Sequence, residues 1–151
     1  MTVHLPYVKQ SDYSSANVSS GSNGLSRKCF LLSAVEMGIY TWQGIDGLMA
    51  QEGAKLDYFD YTTAATDKRK AGDEYWTRSK RTHNGNYMYA FYADGSFCNA
   101  GYREDSHGLR PCIVLPLNTL VRTVTFWGAE FNYIDCCLLY TSDAADDRIS
   151  V

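Results

Sequence analysis

The stretch from residue 75 to residue 116 constrains the fold of this chain more than any other, because it reads as consecutive β-strands joined by tight turns. Aromatic and β-branched residues are common in it, and they suit the pleated, half-buried surface of a sheet. Residues 87–92 alternate between two faces, and Asp94-Gly95 is a strong signal for a hairpin turn. We therefore predict a mostly antiparallel set of strands centred on this stretch.

Two short motifs bracket the stretch. The first motif is Tyr75-Trp76-Thr77-Arg78-Ser79, and the second motif is residues 108–116, Gly-Leu-Arg-Pro-Cys-Ile-Val-Leu-Pro. We expect Trp76 and the apolar run 113–115 to lie in the core. Arginines in strands need partners if they are buried. We therefore predict structural roles for Arg78 and Arg110, each bonded to carboxylates or to backbone carbonyls that lock the sheet.

The first part of the chain is expected to support this sheet. Residues 1–24 are rich in turn formers, so we predict an irregular N-terminal segment there, with a truncated domain start as the alternative. Ser33 and Glu36 have the Ser-x-x-Glu spacing of a capping box, which predicts a short helix that begins at Ser33. Gly38 is placed to end that helix after little more than one turn.

Two further segments lie between this helix and the first motif. Leu56 and Phe59 are three residues apart, which predicts a second short helix that packs on the core. The basic run Lys68-Arg69-Lys70 predicts a solvated loop, because short charge runs usually face water. A chain of 151 residues fits one domain. We place this domain at residues 25–121 and a linker or edge strand at 122–135.

Composition excludes several classes of function. The formal net charge is −3 and there is no long basic run, which argues against nucleic acid as a partner. No window approaches the eighteen or more consecutive apolar residues of a membrane helix, so no membrane insertion is expected. Cys29, Cys98 and Cys112 lack the spacing of a zinc or redox motif, and we expect buried thiols. A disulfide between Cys98 and Cys112 is the alternative.

The C-terminal segment calls for a separate interpretation. Residues 137–146 are similar to the translation of a common transposon-type sequencing adapter, and such read-through is typical of metagenomic assemblies. Non-native scars are excluded from fold reasoning. We therefore expect residues 136–151 to be non-native and the authentic chain to end near Asp135. The alternative is an ordinary strand at 136–140 followed by an acidic tail.

The order of motifs resembles an uncharacterised bacterial and phage domain that is widespread in gut Firmicutes and their prophages. The resemblance covers about residues 25–121 and rests on five motifs, at 30–38, 53–59, 75–79, 94–95 and 108–116. That domain typically reads Trp-Trp-Leu-Arg-Ser-Pro at the first motif, from which Tyr75, Thr77 and Lys80 depart. The resemblance implies an α+β, C-type-lectin-like fold, with mostly antiparallel strands and one or two short helices.

The resemblance also implies a ligand face. In phage variable proteins of similar fold, Tyr, Asn and Ser side chains on a rigid scaffold build that face. Tyr offers a large contact area at low entropic cost, and Asn offers adaptable hydrogen bonds. In the corresponding stretch, 83–107, the predicted ligand-binding residues are Asn84, Asn86, Tyr87, Tyr89, Tyr92, Asn99, Tyr102 and Arg103. We expect a non-enzymatic display module on a virion or bacterial cell surface that binds a glycan or a protein.

Two other classes of function stay open. The first is a structural domain that packs only within its parent protein. The second is a catalyst of the formylglycine-generating type, which needs a cysteine pair or metal ligands that this sequence does not offer. Calcium is not indicated, since Glu104-Asp105 alone is a weak ligand set. We predict no catalytic residue, no metal ligand and no cofactor.

Overall fold

The structure is a computed structural model, and it describes residues 1–9, 17–40, 45, 47–48, 51–82, 86–102, 104–119 and 121–134. The chain divides into two compact units, residues 1–114 and residues 115–151. The predicted non-native tail, 136–151, lies outside the described residues. None of the helices in the described ranges has the length and apolar character that a membrane span requires.

A four-stranded sheet forms the centre of the first unit. Its strands are β6 (Tyr75–Lys80), β7 (Tyr87–Phe91), β8 (Phe97–Tyr102) and β9 (Gly108–Leu109), in the order β8-β7-β6-β9. The β6–β7 and β7–β8 pairs are antiparallel, whereas β9 runs parallel to β6. The Asp94-Gly95 turn joins β7 to β8, as its hairpin signal indicates, and Gly95 has a φ of 83°.

Three two-stranded antiparallel sheets accompany the central sheet. They pair β1 (Val3–Leu5) with β4 (Leu25–Arg27), β2 (Tyr7–Lys9) with β3 (Asn17–Ser19), and β5 (Cys29–Leu31) with β10 (Pro111–Ile113). Residues 1–24, for which the sequence predicts irregular structure, therefore carry three short strands. The reason is tertiary, because β1 pairs with β4, which lies more than twenty residues further along the chain for Val3, the partner of Arg27.

Aromatic side chains on one face of the central sheet build the core. Tyr75, Tyr89 and Phe91 are all buried there. The Tyr75 and Phe91 rings stack with centroids 5.6 Å apart, and the Tyr89 ring stacks on Phe97 at 5.3 Å. This follows from strand geometry, since every second side chain of a strand points to the same face. Trp76 and the run 113–115 are not part of this core. Trp76 is only half-buried, because it points to the face of β6 opposite to Tyr75. Ile113 is 54% exposed, and its strand β10 pairs with β5 and not with the central sheet.

The fold class predicted from the sequence, α+β and C-type-lectin-like, is wrong. The described residues contain almost no helix: they hold no α-helix and only two three-residue 3-10 helices, Gly21–Asn23 and Asp67–Arg69. The rest is mostly antiparallel strands in small sheets. The predicted second helix at 54–59 does not form: residues 57 and 58 make a single turn, and Leu56 is exposed.

The predicted helix at Ser33 is only a single turn. Both the capping box that would begin the helix and the glycine that would end it are formed in this turn. The Ser33 hydroxyl accepts a hydrogen bond from the Glu36 amide, and the Glu36 carboxylate accepts one from the Ser33 amide, each at 3.0 Å. At the other end, the amides of Gly38 and Ile39 donate to Val35 and Ala34. This is a Schellman arrangement around Gly38, whose φ is 87°. The start and stop signals are so close together that no helix fits between them.

The second unit contains a β-hairpin where the sequence predicts a linker or edge strand. Its strands are β11 (Val121–Phe126) and β12 (Ala129–Ile134). Trp127 and Gly128 form the two-residue turn, and both have positive φ, 49° and 78°. Two consecutive positive φ angles match the twist that a two-residue hairpin requires.

The prediction of a solvated loop for the basic run 68–70 is wrong for Arg69. It lies in the basic run that predicts a solvated loop, yet it is fully buried. Its guanidinium donates four hydrogen bonds, to the backbone carbonyls of Met37, Thr62, Ala64 and Gly95. The Phe91 ring also lies beneath it, 5.1 Å from its Cζ atom. Arg69 therefore ties the loop before β6 to the β7–β8 turn.

Candidate functional site

The two sequence motifs meet at one apolar pocket. Tyr75 and Trp76 of the first motif, together with Arg110 and Cys112 of the second, line a cavity of about 250 Å³. The other lining residues are Leu32, Met37, Leu56, Tyr58 and Phe59. The pocket therefore joins two parts of the chain that are more than thirty residues apart in the sequence.

Strand pairing places the motifs side by side. Gly108 and Leu109 of β9 pair in parallel with Tyr75 and Trp76 of β6. After Arg110, the chain leaves this sheet and continues as β10, which pairs with β5. Arg110 is thus the one residue between two sheets, and its side chain reaches the pocket that lies beside them.

The Trp76 ring is held in position by two close neighbours. It makes an edge contact with the His107 ring, with centroids 4.3 Å apart. A Cβ atom added to Gly101 of β8 would lie only 2.6 Å from the ring, so a larger residue there would displace the Trp76 ring. The His107 Nδ1 atom lies 3.1 Å from the Glu74 carboxylate. These contacts make the Trp76 side of the pocket rigid.

Arg110 is exposed, and its guanidinium lies over the Tyr75 ring with its Cζ atom 5.4 Å from the centroid. Its hydrogen bonds are long: Nη1 donates to the Tyr75 hydroxyl at 3.3 Å and to the Arg69 carbonyl at 3.5 Å. The Tyr75 hydroxyl itself donates to the same carbonyl at 2.7 Å. Among the described residues, Nε and Nη2 of Arg110 have no hydrogen-bond partner and no carboxylate lies within 4 Å.

The two ionisable groups beside Arg110 keep their protons. Burial raises the pKa of the Tyr75 hydroxyl, and the nearby Arg110 offsets this only in part. Burial likewise raises the pKa of the Cys112 thiol. A cysteine is nucleophilic as the thiolate, so a raised pKa makes Cys112 a poor nucleophile at neutral pH. The pocket thus offers one positive charge in an otherwise neutral, apolar wall.

A polar groove adjoins the pocket and shares Tyr75 and Arg110 with it. The groove has a volume of about 420 Å³ and is lined by residues 70–74 and 108–110. Its charged lining residues include both signs: Lys70 and Arg110 are basic, and Asp73 and Glu74 are acidic. Arg110 therefore lies at the boundary between an apolar pocket and a polar groove.

The predicted ligand face at 83–107 is only partly displayed. Tyr87 and Tyr102 are half-buried and make an edge contact with each other, with centroids 5.5 Å apart. Asn86 is also half-buried, and Tyr92 is exposed. Tyr89 is fully buried in the core, because it shares a face of β7 with Phe91, and we remove it from the predicted face. Asn84, Arg103 and the side chain of Asn99 lie outside the described residues.

A second group of tyrosines, outside the predicted face, is also exposed. Tyr40, Tyr58 and Tyr61 are 37%, 61% and 51% exposed. Lys55 lies over the Tyr61 ring at 5.0 Å and Lys68 over the Tyr58 ring at 5.7 Å. The sequence interpretation assigned Tyr58 to a helix and so missed this surface. The abundance of tyrosine between residues 58 and 61 was the available signal.

Arg78 occupies a very different environment from Arg110. It forms a two-bond ion pair with the Glu36 carboxylate, and the two side chains are only 8% and 11% exposed. It also donates to the carbonyls of Pro6, Leu31 and Glu52. These five hydrogen bonds match the five N–H groups of a guanidinium, so Arg78 has no donor left for a ligand.

Glu52 is a second buried acid beside this ion pair. Its side chain is fully buried, and neither carboxylate oxygen has a hydrogen bond of good geometry with a described residue. Burial raises the pKa of Glu52 from 4.5 to about 7, although the Ser79 hydroxyl, Arg78 and the Val8 backbone act in the opposite direction. Glu52 is therefore protonated in the folded protein below about pH 7.

The three described cysteines are free thiols, and the alternative Cys98–Cys112 disulfide is not formed. Cys98 is buried, as expected of a small apolar side chain, whereas Cys29 is exposed. Within the described ranges, no group of three or more His, Cys, Asp or Glu residues is arranged to hold a metal ion.

Comparison with known families assigns the chain to one of them. The family described as "Domain of unknown function (DUF6273)" matches residues 1–117, which is most of the chain. The chain therefore belongs to this family. No curated protein and no solved structure matches the chain. The family match begins at residue 1, so it includes the N-terminal strands β1–β3 as well as the two motifs.

Proposed function

We propose that this domain is a non-enzymatic ligand-binding module of a phage or bacterial surface protein, and that it binds a glycan or protein ligand at the apolar pocket between the two motifs. The observation that carries the proposal is the exposed guanidinium of Arg110 at the pocket, with two nitrogen atoms that have no partner among the described residues. Small-molecule sites are typically apolar concavities with a few well-placed polar groups. The phage or surface setting rests on the sequence resemblance.

The chemistry of the pocket favours binding over catalysis. The raised pKa of Cys112 opposes its use as a nucleophile, and the Tyr75 hydroxyl is held by the Arg69 carbonyl. The rigid support of Trp76 by His107 and Gly101 suits recognition, since a wall that is already in place loses little entropy when a ligand binds.

The half-buried pair Tyr87 and Tyr102 defines the competing location for the site, the face predicted from the sequence. A variant that fills the pocket and a variant that removes this pair separate the two locations. Leu56→Trp adds bulk at an exposed residue of the pocket wall, and Tyr87→Ala/Tyr102→Ala removes both rings of the face. Thermal unfolding of each variant is the control that tests whether the fold is retained.

The test is binding of the wild-type domain and both variants to a glycan array, a panel of peptides and a panel of intact bacterial cells. We expect Leu56→Trp to lose the binding that the wild type shows and the double tyrosine variant to keep it. The opposite pattern would move the site to the 83–107 face. A folded wild-type domain that binds nothing on any panel would overturn the proposal and favour a domain that packs only within its parent protein.

A further inference from the structure

The unpartnered edge of the Arg110 guanidinium defines the chemistry of the group that the pocket accepts. Both hydrogen bonds of Arg110 to described residues use Nη1. Nε and Nη2, which form the side edge of the guanidinium, are therefore left together. Two parallel N–H groups match the two oxygens of a carboxylate, and such bidentate pairs are among the stronger hydrogen bonds in proteins.

The size and lining of the pocket define the rest of that group. An apolar cavity of roughly 150 Å³ is enough to bind benzene. The pocket beside Arg110 has about 250 Å³, and Trp76, Tyr58 and Phe59 contribute aromatic surface to its wall. A single aromatic ring or a branched alkyl group therefore fits.

The adjoining groove limits the charge of the ligand. Asp73 and Glu74 line the groove together with Arg110 and Lys70. A dianion such as a phosphate monoester would gain from the two cations but would be repelled by the two carboxylates. A singly charged, planar carboxylate can pair with the side edge of Arg110 and meets less repulsion from these acids than a dianion does.

We propose that the pocket recognises an apolar carboxylate: an aryl or branched-alkyl group that enters the pocket, carrying a carboxylate that pairs with Nε and Nη2 of Arg110. This inference rests on the proposed binding function and gives the ligand class for the same site. A free small acid and the C-terminal carboxylate of a peptide with an apolar last residue share this chemistry.

The test uses matched acids and amides. Protein amide NMR spectra are recorded during titration with 3-phenylpropionate and with 3-phenylpropionamide, and then with a short peptide that ends in phenylalanine as the free acid or as the C-terminal amide. We expect the acid of at least one pair to bind about tenfold or more tightly than its amide, because a charge-assisted bidentate bond is lost in the amide. The shifted amide signals should include those of Tyr75, Trp76, Arg110 and Cys112. The two pairs distinguish a small acid from a peptide terminus.

Two variants complete the test. Arg110→Ala should abolish the preference for the acid, whereas Arg27→Ala, which removes the same charge from an exposed arginine outside the pocket wall, should keep it. Equal binding of acid and amide by the wild type would overturn the role of Arg110. If neither pair binds while the glycan or cell panels still show pocket-dependent binding, the carboxylate inference fails and the proposed function stands.

Discussion

Arg78 and Arg110 lie in the two motifs that bracket the same stretch, but one is saturated with partners and the other is not. Arg78 is buried and makes five hydrogen bonds, including two to Glu36. Arg110 is exposed and makes two long ones. A buried cation must be matched by acceptors because its desolvation is costly, whereas an exposed cation at a pocket can keep donors for a ligand.

An arginine in a strand motif therefore does not have a single fixed role. The sequence interpretation gave both residues the same structural role, because each stands in an apolar motif. The surroundings of Arg78 favour that role, while those of Arg110 favour recognition. Three changes test the comparison, in order of decreasing effect on the stability of the domain.

The largest effect is expected from Arg78→Ala. The substitution leaves the Glu36 carboxylate buried without its cation, next to Glu52. Breaking a buried ion pair by removing one partner costs about 3–5 kcal/mol of unfolding free energy. Denaturant unfolding at pH 7 measures the loss. A loss below about 1 kcal/mol would mean that water solvates the Glu36 carboxylate in place of the guanidinium, and that the ion pair is accessible to solvent.

The next effect is a pH dependence that comes from Glu52. Because its folded-state pKa is about 7 and its ordinary value is 4.5, the folded protein holds this proton to higher pH than the unfolded chain does. The contribution of Glu52 to the free energy of unfolding is therefore most favourable below about pH 4.5. It decreases as the pH rises from 4.5 towards 7. The raised pKa corresponds to a cost on the order of 3 kcal/mol above pH 7.

Glu52→Gln isolates this contribution. Glutamine keeps the size of the protonated acid and cannot ionise. We therefore expect that the unfolding free energy of the variant does not show the decrease that Glu52 causes between about pH 4.5 and 7. Denaturant unfolding of both proteins at several pH values checks this. The variant should be more stable than the wild type at pH 8 and similar at pH 4. Parallel pH profiles would show that Glu52 is already ionised in the folded protein.

The smallest effect on stability is expected from Arg110→Ala. The residue is exposed, its hydrogen bonds are long, and an exposed cation–π contact contributes little, so the loss should be below about 1 kcal/mol. Thermal and denaturant unfolding measure it beside Arg78→Ala. A loss as large as that of Arg78→Ala would end the distinction between the two arginines and return Arg110 to a structural role.

Local patterns predicted the parts of the fold that depend on local chemistry. The Asp94-Gly95 turn forms, and Ser33, Glu36 and Gly38 make the capping box and glycine stop that their spacing indicates. The helix between them does not form, because the two signals leave room for one turn only. The prediction of a C-type-lectin-like α+β fold failed for the same reason: helical content depends on length, and the helical signals here were short.

The candidate site was the least predictable part. The sequence interpretation selected residues 83–107 for their tyrosine and asparagine content, but composition does not say which face of a strand is buried. Tyr89 is in the core, whereas Tyr58 and Tyr61, in a region assigned to a helix and a loop, are exposed. The pocket depends on contacts between β6, β9 and β10, and no local pattern reports that Gly108 pairs with Tyr75.

Local patterns in the sequence are enough to identify the strand-forming stretch and its hairpin turn, because alternation and turn chemistry act between near neighbours. The roles of the arginines in and around the two motifs depend instead on tertiary contacts. Arg69 is buried because carbonyls from four separated residues converge on it, and Arg110 is exposed because the chain changes sheets at that position. Burial and partners are properties of the assembled neighbours, so charge and spacing along the chain do not specify them.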